Sequence, residues 1–558
     1  MELPGWVSLL PPLVAIVAAL VSRQVIPSLV LGTWVGAWAV AGLDLRGLWT
    51  GLLDVPGRWV LEALAPPDGD TAHASIVLFT LLIGGLVGVI TRSGGTRGVV
   101  DLVTRFAATR RRGQATTAGL GLVIFFDDYA NTLVLGNSLR PVTDRLRVSR
   151  EKLAYLVDST SAPVASLALV STWIGFEVGL IDDALGQIGV DESGYGGFVA
   201  SLPYRFYPVL ALVLVFAVAT SGRDLRAMHR AERRAAAGEV VRPGTPGAEP
   251  DPETAPDEDA PHRAVNALLP LGVLVGGTLA FLLASGEGET LRDVVGSADP
   301  YSALVSASLL AVLVAVVLAV GQRLLTVGEA TAAWFSGLTS VVHVLIVLVL
   351  AWALAAVSEE LGTAAYLGDL LGDALPLWSV PALVFVVAAA TAFATGTSWG
   401  TMGILMPLAV PLAWTVAQGE GAAADVATSA LWATVGTVLA GAVWGDHCSP
   451  ISDTTVLSAL ACGCDPVDHV RTQLPYALLA GAASTGALLA VGAGVSAWLV
   501  WPVAAAVVLG VLRWRGQALP DEEPGADGRG TAVASGPVVA DPGAGRTTDR
   551  RGTVGSAP

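Results

Sequence analysis

The chain has 558 residues, 53% of them hydrophobic and 14% charged, with a mean hydropathy of +0.65 and a net charge of −16. Soluble domains carry about 25% charged residues, so a soluble globular protein is excluded, and the acidic balance argues against a nucleic-acid partner. Three cysteines, Cys448, Cys462 and Cys464, give no disulfide framework, and Cys462-Gly-Cys464 has no further ligands nearby for a metal site.

Apolar runs fall near residues 6–22, 25–42, 74–91, 115–136, 153–181, 203–221, 266–285, 301–320, 338–357, 379–417, 429–463, 474–493 and 495–512. Many approach the roughly 20 residues that cross a bilayer as a helix. An all-α polytopic membrane protein of the cytoplasmic membrane is predicted, with the lipid bilayer around it. The first run, Trp6 to Ser22, has neither a basic leader nor a small-residue cleavage site and reads as a retained helix. Basic residues are almost all arginine, Lys152 being the only lysine, a trait of base composition and not of mechanism.

Two stretches are too polar to bury a core. Residues 222–265 run from RDLRAMHRAERR into PGTPGAEPDPETAPDEDAP and predict a disordered cytoplasmic linker; residues 516–558 predict a disordered cytoplasmic tail. The expected division is a first membrane repeat over 1–221, the linker, a second membrane repeat over 266–493, a final membrane helix over 494–515, and the tail.

Arginine placement sets the orientation. Arg110 to Arg112, the group from Arg140 to Lys152, and the group from Arg223 to Arg234 belong inside. Acidic loops around Asp182, Asp191, Glu287 and Glu359 to Asp373 belong outside. Residues 115–139 then begin and end inside, with the length of one crossing and a polar middle, FFDDYANT. A re-entrant hairpin with its tip at 125–132 satisfies all three facts, because irregular backbone at membrane depth must be buried in protein or face a cavity. Residues 153–181 are interrupted by DSTSAP. Pro163 removes a backbone donor and disfavours helix before it, which predicts a discontinuous helix.

The second half repeats this in the opposite sense. Residues 379–417 predict a hairpin from outside with the polar middle ATGTSWGTMG, and 429–463 a helix broken from Gly445 to Pro450. Upstream of each pair, 94–108 and 359–373 read as amphipathic surface segments. The expected fold is two inverted-topology repeats, each with a re-entrant hairpin and a discontinuous helix, the pattern that points to a transporter's central site.

The stretch WGDHCSPISDTTVLS, Trp444 to Ser458, holds Asp446, His447 and Asp453 between apolar runs. A charge at membrane depth costs roughly 2.5–3.5 kcal/mol on insertion scales and is tolerated beside a partner or a water-filled cavity. The plain alternative is a cytoplasmic loop turned by Gly445 and Pro450. Broken helices expose N–H and C=O groups that bind ions. Carboxylates with hydroxyls and carbonyls make a hard-oxygen set suited to Na⁺ or a proton.

The candidate ion- and proton-binding residues are Asp446, Asp453, Asp128, Asp127, Asp158, Asn131, Ser449, Thr454, Thr397, Ser398 and His447, with Na⁺ at Asp446, Asp453 and Asp128. A cation and a proton competing for one carboxylate set, opened alternately to each side, suffice for exchange. Each candidate has a structural alternative. Asp446 and Asp453 would otherwise cap a half-helix. Of the adjacent Asp127 and Asp128, one points at the site and the other bonds backbone donors at the tip. Asp158 divides between ligand and cap, and His447 between proton relay and a satisfied structural histidine. The hydroxyl residues are also common packing residues in membranes. His343 reads as a buried hydrogen-bonding residue and Glu177 as lining an external vestibule. No basic residue is evident at any break.

GDHCSPISDTT, Gly445 to Thr455, resembles the signature of the NhaC-type Na⁺/H⁺ antiporter family. FFDDYANTLVLG, Phe125 to Gly136, and GTSWGTMG, Gly396 to Gly403, resemble two further blocks of it. The resemblance extends over most of the membrane region and leaves out the linker and tail. It implies an inner-membrane secondary antiporter with paired hairpins, moving Na⁺ out in exchange for H⁺, with no cofactor and with a homodimer as an expected assembly. It also implies an alternative, because some members are similar in sequence yet exchange organic acids, malate for lactate, coupled to Na⁺ and H⁺. Two other classes compete. An intramembrane hydrolase reading of Asp446, His447 and Cys448 lacks a second His or Cys cluster and a nucleophile elbow. A passive channel is disfavoured by the inverted hairpins.

Overall fold

The computed structural model describes residues 4–22, 24–65, 71–104, 106–243, 262–286, 299–363, 366 and 375–519. In the first half the helices are α1 (Leu10–Ser22), α2 (Val25–Val40), α3 (Leu45–Asp54), α4 (Leu61–Leu64), α5 (Ala72–Arg92), α6 (Gly95–Thr104), α7 (Arg110–Val123), α8 (Asp128–Arg145), α9 (Arg150–Asp158), α10 (Ala162–Ala165), α11 (Ile174–Gln187), α12 (Gly194–Ser201) and α13 (Phe206–Ser221). A short helix, α14 (Arg226–Ala236), follows. The second half contains α15 (Val265–Ser285), α16 (Pro300–Gly321), α17 (Val327–Glu360), α18 (Val380–Thr395), α19 (Ser398–Gly419), α20 (Ala424–Cys448), α21 (Asp453–Cys462), α22 (Pro466–Gly492) and α23 (Ala497–Arg515). Among the described residues, nine helices are long and apolar enough to cross a membrane, or ten if the bent α12–α13 pair counts as one span. The protein is an all-α polytopic membrane protein.

Helix breaks occur in all four regions marked by polar residues inside apolar runs. The α7–α8 hairpin turns at 124–127, where the Asp127 side chain caps α8 by accepting from the Ala130 N–H at 2.6 Å. The α18–α19 hairpin turns at Gly396, whose φ of +72° suits only glycine without strain. Thr397 then caps α19. In α9–α11 the chain leaves helix after Asp158, takes one turn opened by Pro163 near its start, and returns to helix at Ile174. The last break, between α20 and α21, spans 449–452.

Three expectations change at this level. First, Gly445 does not break a helix. It lies inside α20, where its missing side chain admits the Ala389 carbonyl of α18; Gly441 does the same for Phe385. Secondly, each arm of the second hairpin is long enough to cross a membrane alone, with spans Leu377–Thr395 and Ser398–Gly419. The arms of the first, 14 and 18 residues, are shorter and more polar. Thirdly, the first part of the expected disordered linker is ordered. Arg223–Asp224 pairs antiparallel with Gln517–Ala518, and α14 lies against α9 and α22. Its ordering follows from amphipathicity, since Met228, Ala231 and Ala235 are buried while its arginines reach outward or into ion pairs. Residues 244–261, and the tail from 520, lie outside the described residues, as does most of 359–373. Within the segment 94–108, Gly95–Thr104 forms α6, where Gly95 brings the helix to within contact of the α15 backbone.

The two halves interlock. α21 packs on α8 and α9, α22 on α9 and α13, and α19 on α11. Gly136 of α8 permits a close approach, since a Cβ there would lie 2.6 Å from that of Ala461 in α21.

Candidate ion site at the converging helix breaks

Each hairpin leans on the broken helix of its own half. Gly121 of α7 meets the Thr160 side chain in the α9–α10 break, and a Cβ on Gly396 would stand 2.8 Å from the Ile451 carbonyl in the α20–α21 break. Side chains then stitch these contacts. Asn131 Nδ2 donates to the carbonyls of Gly121 (2.9 Å), Ile124 (3.1 Å) and Thr160 (3.1 Å), satisfying backbone that the breaks leave without helical partners. Ser449 Oγ donates to the Phe393 carbonyl at 2.8 Å, tying the second break to α18.

The halves meet through polar contacts as well. The Tyr129 hydroxyl donates to Asp453 Oδ2. Ser159 Oγ and His447 Nε2 are 3.0 Å apart, and the Tyr207 hydroxyl lies 2.6 Å from His447 Nδ1. Asp158 is a hub. Its carboxylate accepts from Gln473 Nε2 (2.6 Å), Thr455 Oγ1 (3.4 Å) and Ser458 Oγ (3.3 Å), and lies 3.2 Å from His469 Nε2 and 3.8 Å from His447 Nε2. Both histidines are buried.

The sequence candidates therefore separate into three settings. Asp446, buried near the end of α20, is held within its own break. Oδ1 accepts from Ser452 Oγ at 2.9 Å and Oδ2 from Thr454 Oγ1 at 3.0 Å. Asp453 is exposed at the first position of α21, where Oδ1 also accepts from the Thr454 N–H at 2.9 Å. Asp158 and His447 belong to the interhelical network just described. Asp127 caps α8 and also lines the cleft that Asp128 faces, beside Thr172. Its neighbour Asp128, 1% exposed, keeps Oδ2 without a hydrogen-bond partner among the described residues.

Two neutral oxygens share that condition with Asp128, Asn131 Oδ1 and Thr132 Oγ1; Thr172 lies beside the Asp127 carboxylate. Asn131 and Thr132 lie three and four residues beyond Asp128 on one helix, so each side chain neighbours that of Asp128. Asp127, Asp128, Thr172 and Trp399 line one narrow cleft of about 10 Å³, with Tyr129, Ser340 and Val341. Trp399 enters it from the start of α19, packed 4.6 Å from the Trp173 ring and edge-on to Phe176 at 4.7 Å. Ser398, beside it, is buried, and Thr397 half-buried. Among the described residues, no three Asp, Glu, His or Cys side chains gather as a metal cage. Asp128, Asp446 and Asp453 each hold their own hydrogen-bonding surroundings at these breaks.

Several partners had no sequence signal. Tyr207 sits alone in an apolar run, and Arg205 is 28 residues from Glu177. That pair is fully buried, with Arg205 Nη1 2.9 Å from Glu177 Oε2 and 2.5 Å from the Ser166 carbonyl. This corrects one expectation, since Glu177 does not line a vestibule; Arg205 reaches the Ser166 carbonyl between α10 and α11, outside the four polar breaks. His469 and Gln473 lie four residues apart on α22, among the polar residues of its first turns. His343 is exposed on α17, between exposed Val342 and Ile346, and is not a buried hydrogen-bonding residue.

A model of the Na⁺/H⁺ antiporter family matches residues 164–493. The chain is 32% identical over 495 residues to an uncharacterized protein of Haemophilus influenzae, covering 87% of this chain and 90% of that one. A shorter stretch of 89 residues, 16% of this chain and 17% of the other, is 37% identical to the malate-2H⁺/Na⁺-lactate antiporter of Bacillus subtilis. The fold is similar to the crystal structure of the YdaH transporter of Alcanivorax borkumensis, with a TM-score of 0.52 at 17% identity over 82% of this chain and 91% of that one.

Proposed function

The chain belongs to the Na⁺/H⁺ antiporter family, and we propose that this multi-pass membrane antiporter exchanges Na⁺ for H⁺ across the cytoplasmic membrane by alternating access. The observation that carries the reading is Asp128 Oδ2, buried at a hairpin tip with no partner among the described residues. A buried carboxylate oxygen left unpaired is costly. Either a proton or a Na⁺ relieves that cost, and each excludes the other. Thr172, which lines the same cleft, supplies a neutral oxygen that would favour a dehydrated Na⁺ beside it.

Asp446 and Asp453 flank the same region from the second half. Their present hydroxyl partners, Ser452, Thr454 and Tyr129, are groups that a bound cation would displace or recruit. The two halves, opposite in sense by their loop charges, would expose this region to one side at a time.

The alternative, a Na⁺- and H⁺-coupled exchanger of organic acids, draws on the short likeness to the malate/lactate antiporter. It needs a cation for the substrate carboxylate. Arg205 is spent on Glu177, Ser201 and the Ser166 carbonyl, which favours the simple cation exchange.

Everted membrane vesicles with a respiration-driven pH gradient test the choice, with Na⁺, Li⁺, K⁺ and malate added in turn. Collapse of the gradient by Na⁺ is expected. Collapse by malate, with no response to any cation, would replace the proposal with the organic-acid reading.

A further inference from the structure

Away from the breaks, α14, the start of α22 and the first turn of α9 enclose a pocket of about 270 Å³ on the arginine-rich face. Four arginines line it, Arg230 and Arg234 from α14, Arg242 just beyond it and Arg471 from α22, together with two carboxylates, Glu151 and Asp468. The carboxylates are already matched. Arg234 Nη2 donates to both oxygens of Glu151 at 2.9 and 2.7 Å, and Arg242 Nη1 donates to Asp468 Oδ1 at 2.8 Å. Arg230 and Arg471 make no hydrogen bond or ion pair among the described residues, and both are exposed at the pocket rim.

The floor beneath them is fixed. Glu232, on the same helix and 1% exposed, accepts from Arg110 Nη2 (2.7 Å), Gln114 Nε2 (3.3 Å), and the Ser149 N–H and Oγ (2.8 Å each). Lys152 forms a buried pair with Asp224, which also accepts from the Tyr476 hydroxyl at 3.0 Å. The helix that carries Arg230 is thereby locked to α7, α9 and α22, so the guanidiniums are presented on a rigid frame and not on a mobile tether.

Guanidinium forks match the oxygens of phosphate groups, and two uncompensated forks across one concavity call for an anion that brings several such oxygens. We propose that this pocket is a binding site for phosphate-bearing anions, seated between Arg230 and Arg471 with Arg234 and Arg242 behind. The same chemistry is supplied by a soluble phosphate compound or by the headgroup of an anionic phospholipid. The proposal is independent of which ion the protein exchanges.

The test uses the full chain in phosphatidylcholine nanodiscs, in choline chloride so that transported cations are absent. Potassium pyrophosphate is titrated against potassium chloride at matched ionic strength, and a second arm replaces part of the phosphatidylcholine with phosphatidylglycerol. The melting temperature is followed in both arms, because a ligand that binds only the folded state raises it. Equilibrium dialysis with radiolabelled pyrophosphate reads binding directly. A rise with pyrophosphate identifies a soluble ligand; a rise only with phosphatidylglycerol identifies a headgroup. In either case the Arg230→Gln, Arg471→Gln double variant should weaken binding by tenfold or more. Because neither side chain makes a hydrogen bond or ion pair among the described residues, the variant is expected to melt as the parent does without ligand. Absence of any response in both arms, or an equal response in the double variant, overturns the proposal.

Discussion

Asp128 and Asp446 differ in what surrounds their oxygens, and that difference predicts different phenotypes. Asp128→Asn keeps size and removes the charge that a Na⁺ or a proton would neutralise. Exchange should fall to background while membrane insertion is unchanged, as measured by the vesicle assay and immunoblot. Asp446 already accepts two hydroxyls. Its change to Asn turns one acceptor into a donor aimed at Ser452 or Thr454, so a loss of exchange should be joined by a lower melting temperature, on the order of one lost hydrogen bond of about 1–3 kcal/mol. Tyr129→Phe removes a donor to exposed Asp453. A severalfold rise in the Na⁺ concentration for half-maximal exchange is expected, with the maximal rate largely kept; an unchanged Na⁺ dependence would make that contact incidental. The polar residues themselves were readable, because charges inside apolar runs are costly and so conspicuous. Their partition was not, because capping by Asp127 and the missing partner of Asp128 are facts of geometry that two adjacent aspartates look identical without.

The breaks were legible at the scale of elements for a similar reason. Proline, glycine and clustered hydroxyls interrupt runs that otherwise have no cause to stop. Gly445 misled, because a glycine that opens a turn and one that lets two helices touch are the same letter. The helix 226–236 was hidden by its neighbourhood, since composition averaged over 222–265 joined an amphipathic arginine-rich helix to the proline- and acid-rich stretch after it. Two substitutions test the packing. Gly396→Ala places a side chain at a φ of +72° and toward the Ile451 carbonyl. A left-handed backbone costs roughly 1–2 kcal/mol for other residues, so the melting temperature should drop while the first hairpin is untouched. Arg205→Leu leaves the buried Glu177 carboxylate without its cation. Breaking such a pair from one side costs about 3–5 kcal/mol, so little folded protein should be recovered by fluorescence-detected size exclusion. Adding Glu177→Leu should restore part of the yield, since the uncompensated charge is then gone.

For the molecule as a whole, a single linkage measurement connects site and fold. If Na⁺ binds the folded protein alone, NaCl should raise the melting temperature above choline chloride at equal ionic strength, and the rise should vanish in Asp128→Asn. The all-α polytopic character followed from hydropathy alone. The interlocking of the halves, α8 on α21 and α11 on α19, did not, because nothing in a linear pattern says which breaks face each other. That interlocking puts Trp399 against Trp173 and Phe176 over a cleft with about 10 Å³ of free space, close to the lower limit for one water. If an ion reaches Asp128 through this cleft, the indole wedged among aromatic rings must swing first. Turnover should then carry the signature of a packed side chain being levered out: a steep temperature coefficient, with a bend in the Arrhenius plot where ring motion stops limiting the rate. Trp399→Ala should flatten that slope.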